Sequence, residues 1–343
     1  GPARCPAATR GGTVGRMISR RAQLARMRRV ALAALTHYDL PEGRLSFVYH
    51  GENTTFRHDS PAGRFLVRVH REQRHGRDVD SARAIRSELD WLVALRTDTD
   101  LEVPEPLSTK SGEFTVEAAA GGETRVVSVL RWLDGRIFEQ TARPVHLRRL
   151  GAAMARLHVH ADSWSPPQDF VRIDWNHEAF FGDVMVYGGL PASACWQLLP
   201  DELRLRFEHV SHRLQAVMAS QSDIGLIHAD LHLGNAVFEA ERVKLIDFDD
   251  CGTGPRLYDL AVALWELRDG DSHQAFADEL LQGYRSVRDI DVTHLDDFIA
   301  LRQVAFDLWF TGTAQVNPAF AADLDKVHRW SMSMLDLVES PDA

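Results

Sequence analysis

Two neighbouring stretches hold the residues best equipped for chemistry: His228, Asp230, His232 and Asn235 in HADLHLGN, then Asp247, Asp249 and Asp250 in LIDFDD. Hard oxygen donors dominate the set. That favours magnesium, which takes carboxylate and amide oxygens and leaves other positions to phosphate, whereas zinc would draw more histidine or cysteine. Asn235 and Asp247 are therefore the expected metal ligands. Asp230 lies five positions before Asn235, so one loop can aim a carboxylate at an incoming hydroxyl while the amide reaches the metal, as phosphoryl transfer requires. Each residue alone reads as a turn or cap residue; the joint spacing between the apolar segments IGLI, AVF and VKLI carries the catalytic reading.

These loops need a frame. Leu24, Met27, Val30, Ala31 and Leu35 recur at helical spacing from Ser19 to about Thr36. RLSFVYH, ENTTFRH and GRFLVRVHR follow as short β-like segments separated by turns, an antiparallel meander. SARAIRSELDWLVALR sets Ile85, Leu89, Leu92 and Leu95 on one face of a helix, with Ser81 as the expected N-cap. EFTVEA and ETRVVSVLRWL complete five strands, and Asp134-Gly135 marks a junction. Beyond it, helical periods are expected near residues 144–160, 200–219, 256–268, 272–287, 295–315 and 320–338. The division read from this pattern is a basic tail over 1–18, an N-terminal lobe over 19–133 and a C-terminal lobe over 134–343.

A chain of 343 residues with 45% apolar residues suffices for a packed core. Cys5, Cys195 and Cys251 are odd in number and lack CxxC spacing, which argues against a disulfide framework or zinc site and for a reducing cytosol. No apolar run approaches the roughly 18 residues of a membrane-spanning helix. The first thirty residues carry eight arginines and no acid; they read as a solvated tail rather than a nucleic-acid arm. His158, His160 and Trp164 read as packing and capping groups. Tyr258 and Asp259 read as a brace at a helix start, with Asp259 favourably placed in the N-terminal dipole. Cys251 reads as a small buried side chain.

The H-x-D-x-x-x-x-N spacing followed by a strand ending in D-F-x resembles the catalytic and metal loops of protein kinases. IHADLHLGNAVF with IDFDDCGTGPRLYDLA resembles more closely the aminoglycoside phosphotransferase and choline kinase superfamily, on the side of type II homoserine kinases and stress-response kinases. GENTTFRH, LVRVHR, IRSELDWLVAL, VSVLRWLDGR and MARLHVHADSW extend the likeness from about Leu45 to Ala263.

The resemblance implies an α+β, bilobal protein-kinase-like fold: a five-stranded antiparallel N-lobe with one main helix, and a mostly helical C-lobe. It implies transfer of the ATP γ-phosphate, with Mg2+, to a hydroxyl of a small metabolite or antibiotic. Asp230 would take the hydroxyl proton, His228 would brace the loop, and Asn235 and Asp247 would hold magnesium. Asp249 and Asp250 would assist from behind. Backbone groups from Leu130 through Trp132 to Leu133 would read adenine. Glu88 would pair with the third-strand cation, here Arg68 where the superfamily usually has lysine; arginine keeps the charge but is planar and bulkier. In place of a GxGxxG loop, backbone N–H groups near Gly51-Glu52-Asn53-Thr54 and the Thr54 hydroxyl would cover the phosphates. Ala229 stands where glycine is common, a harmless change if the backbone there keeps negative φ. Homoserine, an aminoglycoside or spectinomycin-like drug, an amino sugar and a glycated amine all fit as acceptors, and no oligomeric state is implied. Two other readings are a stress-response serine/threonine kinase, disfavoured by the lack of an APE-type segment, and a nucleotide-binding pseudokinase regulator, disfavoured by the intact Asp230, Asn235 and Asp247.

Overall fold

The computed structural model describes residues 20–51, 53–72 and 80–339. The basic tail and Glu52 of the proposed phosphate turn lie outside them. In chain order the elements are α1 (Arg20–Leu35), β1 (Arg44–His50), β2 (Thr54–Ser60), β3 (Gly63–Val69), α2 (Ser81–Asp98), β4 (Thr115–Ala120), β5 (Glu123–Arg131), α3 (Pro144–Ser163), β6 (Ile173–Asp174), α4 (His177–Phe181), β7 (Val186–Tyr187), β8 (Leu190–Pro191), α5 (Ala192–Trp196), α6 (Asp201–Ser220), β9 (Ile224–Ile227), β10 (Ala236–Glu239), β11 (Arg242–Leu245), β12 (Gly252–Pro255), α7 (Arg256–Trp265), α8 (His273–Arg285), α9 (Leu295–Ala314) and α10 (Pro318–Glu339).

The first five strands form one antiparallel sheet in the order β1-β2-β3-β5-β4. Strand alternation explains its packing: Phe65, Val67 and Val69 of β3, with Val127 and Val129 of β5, turn inward against Val30, Ala31 and Ala34 of α1. Helix α2 belongs to the other side. Its Ile85, Leu89, Trp91, Leu92 and Leu95 join the larger apolar core of the helical region, which places Glu88 of the same helix at the seam between sheet and helices. The N-cap of α2 is Asp80 rather than the expected Ser81: its carboxylate accepts the N–H groups of Ala82 and Arg83. Aspartate accepts two amides at once from the non-helical position, which a hydroxyl inside the helix does not.

Gly135 turns the chain from β5 toward the helices. Its φ is +147°, and an added Cβ would lie 2.6 Å from the carbonyl oxygen of Phe238, so only glycine fits. The following residue bridges to β10, Arg136 N–H donating to Phe238 O at 2.9 Å. The β10–β11 hairpin thereby carries the loops of interest directly behind the sheet. Strand β12 pairs antiparallel with β9 and parallel with β6, so the loop that leaves β9 and the loop that enters β12 each have one end on the same small sheet. The six helical periods read from sequence appear as α3, α6, α7, α8, α9 and α10. Among the described residues no helix is long and apolar enough to cross a membrane.

Candidate active site

The loop after β9 is shaped by a carboxylate from another element. Asp259, in the first turn of α7, accepts the backbone N–H of His228 at 2.9 Å and of Ala229 at 2.7 Å. His158 of α3 donates to the same carboxylate from Nε2 at 2.9 Å, while its Nδ1 accepts from the Tyr284 hydroxyl at 2.8 Å. These bonds assign a neutral His158 tautomer, and burial pushes its imidazole below the ordinary range. Burial alone would raise the Asp259 carboxyl, but the His158 bond and the loop amides outweigh it and hold it below the carboxylate norm. Asp259 is thus more than the dipole brace read from sequence.

Held this way, Ala229 sits at φ +65°, not at the negative φ under which its replacement of glycine would be harmless. A left-handed alanine costs about 1–2 kcal/mol, which the Asp259 bonds offset. His228 is fully buried. Its Nε2 donates to Ile246 O at 3.0 Å and its Nδ1 accepts the Asp230 N–H at 3.3 Å, while its ring packs on Phe248. Through these bonds it ties the backbone of Asp230 to that of Ile246.

Asp230 is held on both oxygens. Oδ2 accepts from Asn235 Nδ2 at 2.9 Å, and that amide also donates to the Asp230 carbonyl at 2.8 Å. Oδ1 accepts from Arg302 Nη2 at 2.5 Å. The amide orientation of Asn235 leaves its oxygen as the atom available to a cation. Asn235 O accepts the Ile246 N–H at 3.0 Å, which ties the two loops together one residue before Asp247.

Asp247 adopts φ +63°, ψ +62°, a strained conformation for a non-glycine residue of the kind found at functional loops. Arg68 bridges from β3: Nη1 contacts Glu88 Oε1 at 2.6 Å and Asp249 Oδ1 at 3.9 Å, and Nη2 lies 3.5 Å from Asp247 Oδ1. Arg68 and Glu88 are buried, whereas half of the Asp247 side chain faces the cleft. Crowding by surrounding protein, opposed by Arg68 and reinforced by Asp249, Asp230 and Asp250, pushes the Asp247 carboxyl up to about 7. Such a cluster of like charges is relieved by a bound cation. No three His, Cys, Asp or Glu side chains among the described residues form a metal cage. The donor set of one amide and one carboxylate fits magnesium that shares its ligands with phosphate.

Two arginines set the second loop. Arg172, buried just before β6, donates to Cys251 O and Asp249 O at 2.5 Å each and to Ala84 O of α2 at 2.9 Å. Arg71 N–H donates to Asn53 Oδ1 at 3.1 Å, and its guanidinium lies 3.4 Å from Asp249. Cys251 is buried.

Glu88, Arg68, Asp247, His228, Asp230 and Asn235 thus form one connected network. Thr54, Leu130 and Trp132 enter none of its bonds. Thr54 is buried and its hydroxyl bonds His50 Nδ1 at 2.7 Å. Leu130 is buried in β5, while Trp132 N–H donates to Arg64 O at 3.0 Å and Arg131 N–H to Glu105 O at 2.8 Å. Sequence reasoning missed Arg302 and Arg172. A single basic residue within the apolar run FIALRQVAF was the available sign for Arg302, since a cation there needs a partner.

A five-stranded sheet over a helical body, with an H-x-D-x-x-x-x-N loop and an acidic loop meeting at the seam, defines a phosphotransferase of protein-kinase-like fold. The chain belongs to the phosphotransferase enzyme family, which matches residues 50–295. A Deinococcus radiodurans protein of uncharacterised function is 30% identical over 304 residues, 82% of this chain and 80% of that one. The structure of a microcompartment-associated aminopropanol kinase superposes with a TM-score of 0.73 at 26% identity, covering 92% of this chain and 96% of its own. An amicoumacin kinase, hAmiN, solved with AMP-PNP, Ca2+ and Ami, shares the fold at a TM-score of 0.71 and 19% identity, over 93% of this chain and 96% of its own. The protein is a small-molecule kinase.

Proposed function

We propose that this kinase transfers the γ-phosphoryl group of ATP to a hydroxyl of a small, amine-bearing molecule, with Asp230 as the base. The observation that carries the reading is the continuous set of contacts from Glu88 through Arg68 to Asp247, with Asp230 and Asn235 on the adjoining loop. Asn235 and Asp247 would hold Mg2+, which supplies charge neutralisation to the phosphates. Arg68 adds a fixed cation on the sheet side. The Arg131 and Trp132 amides are already engaged, so the purine edge would be read from Leu133.

In the transfer, the acceptor oxygen forms a bond to the γ-phosphorus as the bond to the ADP oxygen breaks. The hydroxyl proton passes to the Asp230 carboxylate. Support for an amine-bearing acceptor comes from the formal charge of −10 and from Glu266, 3.7 Å from His232 beside Asp230. The name of the aminopropanol kinase points the same way.

The test is a screen of hydroxylated amines and amino acids by coupled ADP release, with Asp230→Ala as control. Loss of a general base lowers turnover by about 10²–10⁴-fold. Equal turnover by both forms removes the role given to Asp230.

A further inference from the structure

We propose that Arg302 is a specificity-determining residue that makes Asp230 discriminate the acceptor from water. The inference rests on the kinase reading above and goes beyond it. Asp230 sits in a cleft that water can enter, its side chain being 22% exposed. A base that is free whenever ATP is bound would activate water: the water oxygen would bond to the γ-phosphorus, the bond to ADP would break, and the water proton would pass to Asp230. The products would be ADP and inorganic phosphate, with nothing phosphorylated.

Arg302 opposes that. Its Nη2 lies 2.5 Å from Asp230 Oδ1, while Asn235 occupies Oδ2 at 2.9 Å, so each oxygen already accepts a hydrogen bond. Its position comes from a different element than the loop it controls. Arg302 projects from α9, with its guanidinium carbon 5.1 Å from the Trp265 ring centroid.

The contact is also built to yield. The Arg302 Nε–H is buried with no partner, so this placement leaves one donor unsatisfied. An acceptor that brings its own oxygen to the guanidinium can draw Arg302 aside and expose Oδ1 to its hydroxyl. Water, with no remaining contacts in the cleft, gains too little to do the same. Binding energy from the rest of the acceptor is thereby spent on assembling the base.

The experiment measures ADP release from Mg-ATP with no acceptor present, for the full chain and for Arg302→Gln, Arg302→Lys and the double variant Arg302→Gln/Asp230→Asn. Calorimetric binding of Mg-ADP and a thermal melt accompany each form. Acceptor-free ADP release is expected to rise about tenfold in Arg302→Gln, a fraction of the rate a general base supplies. Arg302→Lys keeps the charge but not the fork, and is expected to fall between wild type and Arg302→Gln. The double variant returns to the wild-type rate or lower, because the freed base is gone. Should Arg302→Gln melt early, Arg302→Lys carries the test, a rise above wild type supporting the proposal. Intact Mg-ADP binding with no rise in any Arg302 single variant overturns the proposal alone. Failure of every form, wild type included, to bind Mg-ADP overturns the kinase reading beneath it.

Discussion

Replacing Asp259 by alanine should damage the active site from outside it, and the size of the effect follows from three bonds. The carboxylate accepts the N–H groups of His228 and Ala229 and the Nε2–H of His158, all buried. An unsatisfied buried donor costs about 1–3 kcal/mol. Because the three share one cavity their costs do not simply add, and about 4 kcal/mol in total is expected for Asp259→Ala. Asp259→Asn keeps the shape and one accepting oxygen, and should lose about half as much. The loss matters against a total stability of roughly 5–15 kcal/mol.

Activity should fall further than stability. Without its anchor Ala229 can leave φ +65° and carry Asp230 with it, and a displacement of about 1 Å can cost about 10²-fold in rate. Glycine tolerates the left-handed region, so Ala229→Gly should restore part of the turnover in the Asp259→Asn background and none in Asp230→Ala. Urea unfolding gives the stability, and acceptor-dependent ADP release gives the rate. An Asp259→Ala protein that unfolds within about 1 kcal/mol of wild type and turns over normally would refute the anchoring argument.

Two further outcomes follow from buried polar groups. The His158 imidazole is pushed below its ordinary value and the Asp259 carboxyl is held below its own. In both cases the unfolded chain binds more protons, so stability rises with pH through the unfolded histidine range near 6.5 and falls as the solution is acidified toward the carboxylate range. Urea midpoints measured from pH 7.5 down to 4.5 should decline, and His158→Gln should flatten the upper part of that decline. Arg172→Leu removes the donors to Ala84 O, Asp249 O and Cys251 O; a loss of about 3 kcal/mol is expected in urea unfolding, together with faster amide exchange over residues 247–252.

Much of the sheet was legible because strand alternation and turn residues are local. Thr55 to Ser60 pairs with Arg68 to Gly63 across the turn at Pro61 and Ala62, as the meander required. The long helices were legible for the same reason. That Asp230, Asn235 and Asp247 lie close together was readable because two adjacent loops carry them, joined by the Ile246 N–H to Asn235 O bond. What escaped was whatever depends on distant partners. Asp259 reads as an ordinary first-turn acid until the fold delivers the His228 and Ala229 amides to it. Arg302 lies 72 positions from Asp230, too far for any local pattern. The positive φ of Ala229 was hidden because alanine carries none of the preference glycine would have advertised. The short pieces between α3 and α6 were missed because elements of two to five residues have too few periods to register.

The most direct test of the central claim is calorimetric titration of AMP-PNP into the full chain with and without Mg2+, repeated for Asp247→Asn. If Asn235 and Asp247 grip a metal-bound triphosphate, wild type binds tightly only with magnesium, and Asp247→Asn weakens that binding by at least about tenfold while leaving the metal-free titration unchanged. Equal affinity with and without the cation, or an Asp247→Asn protein indistinguishable from wild type, would contradict the account.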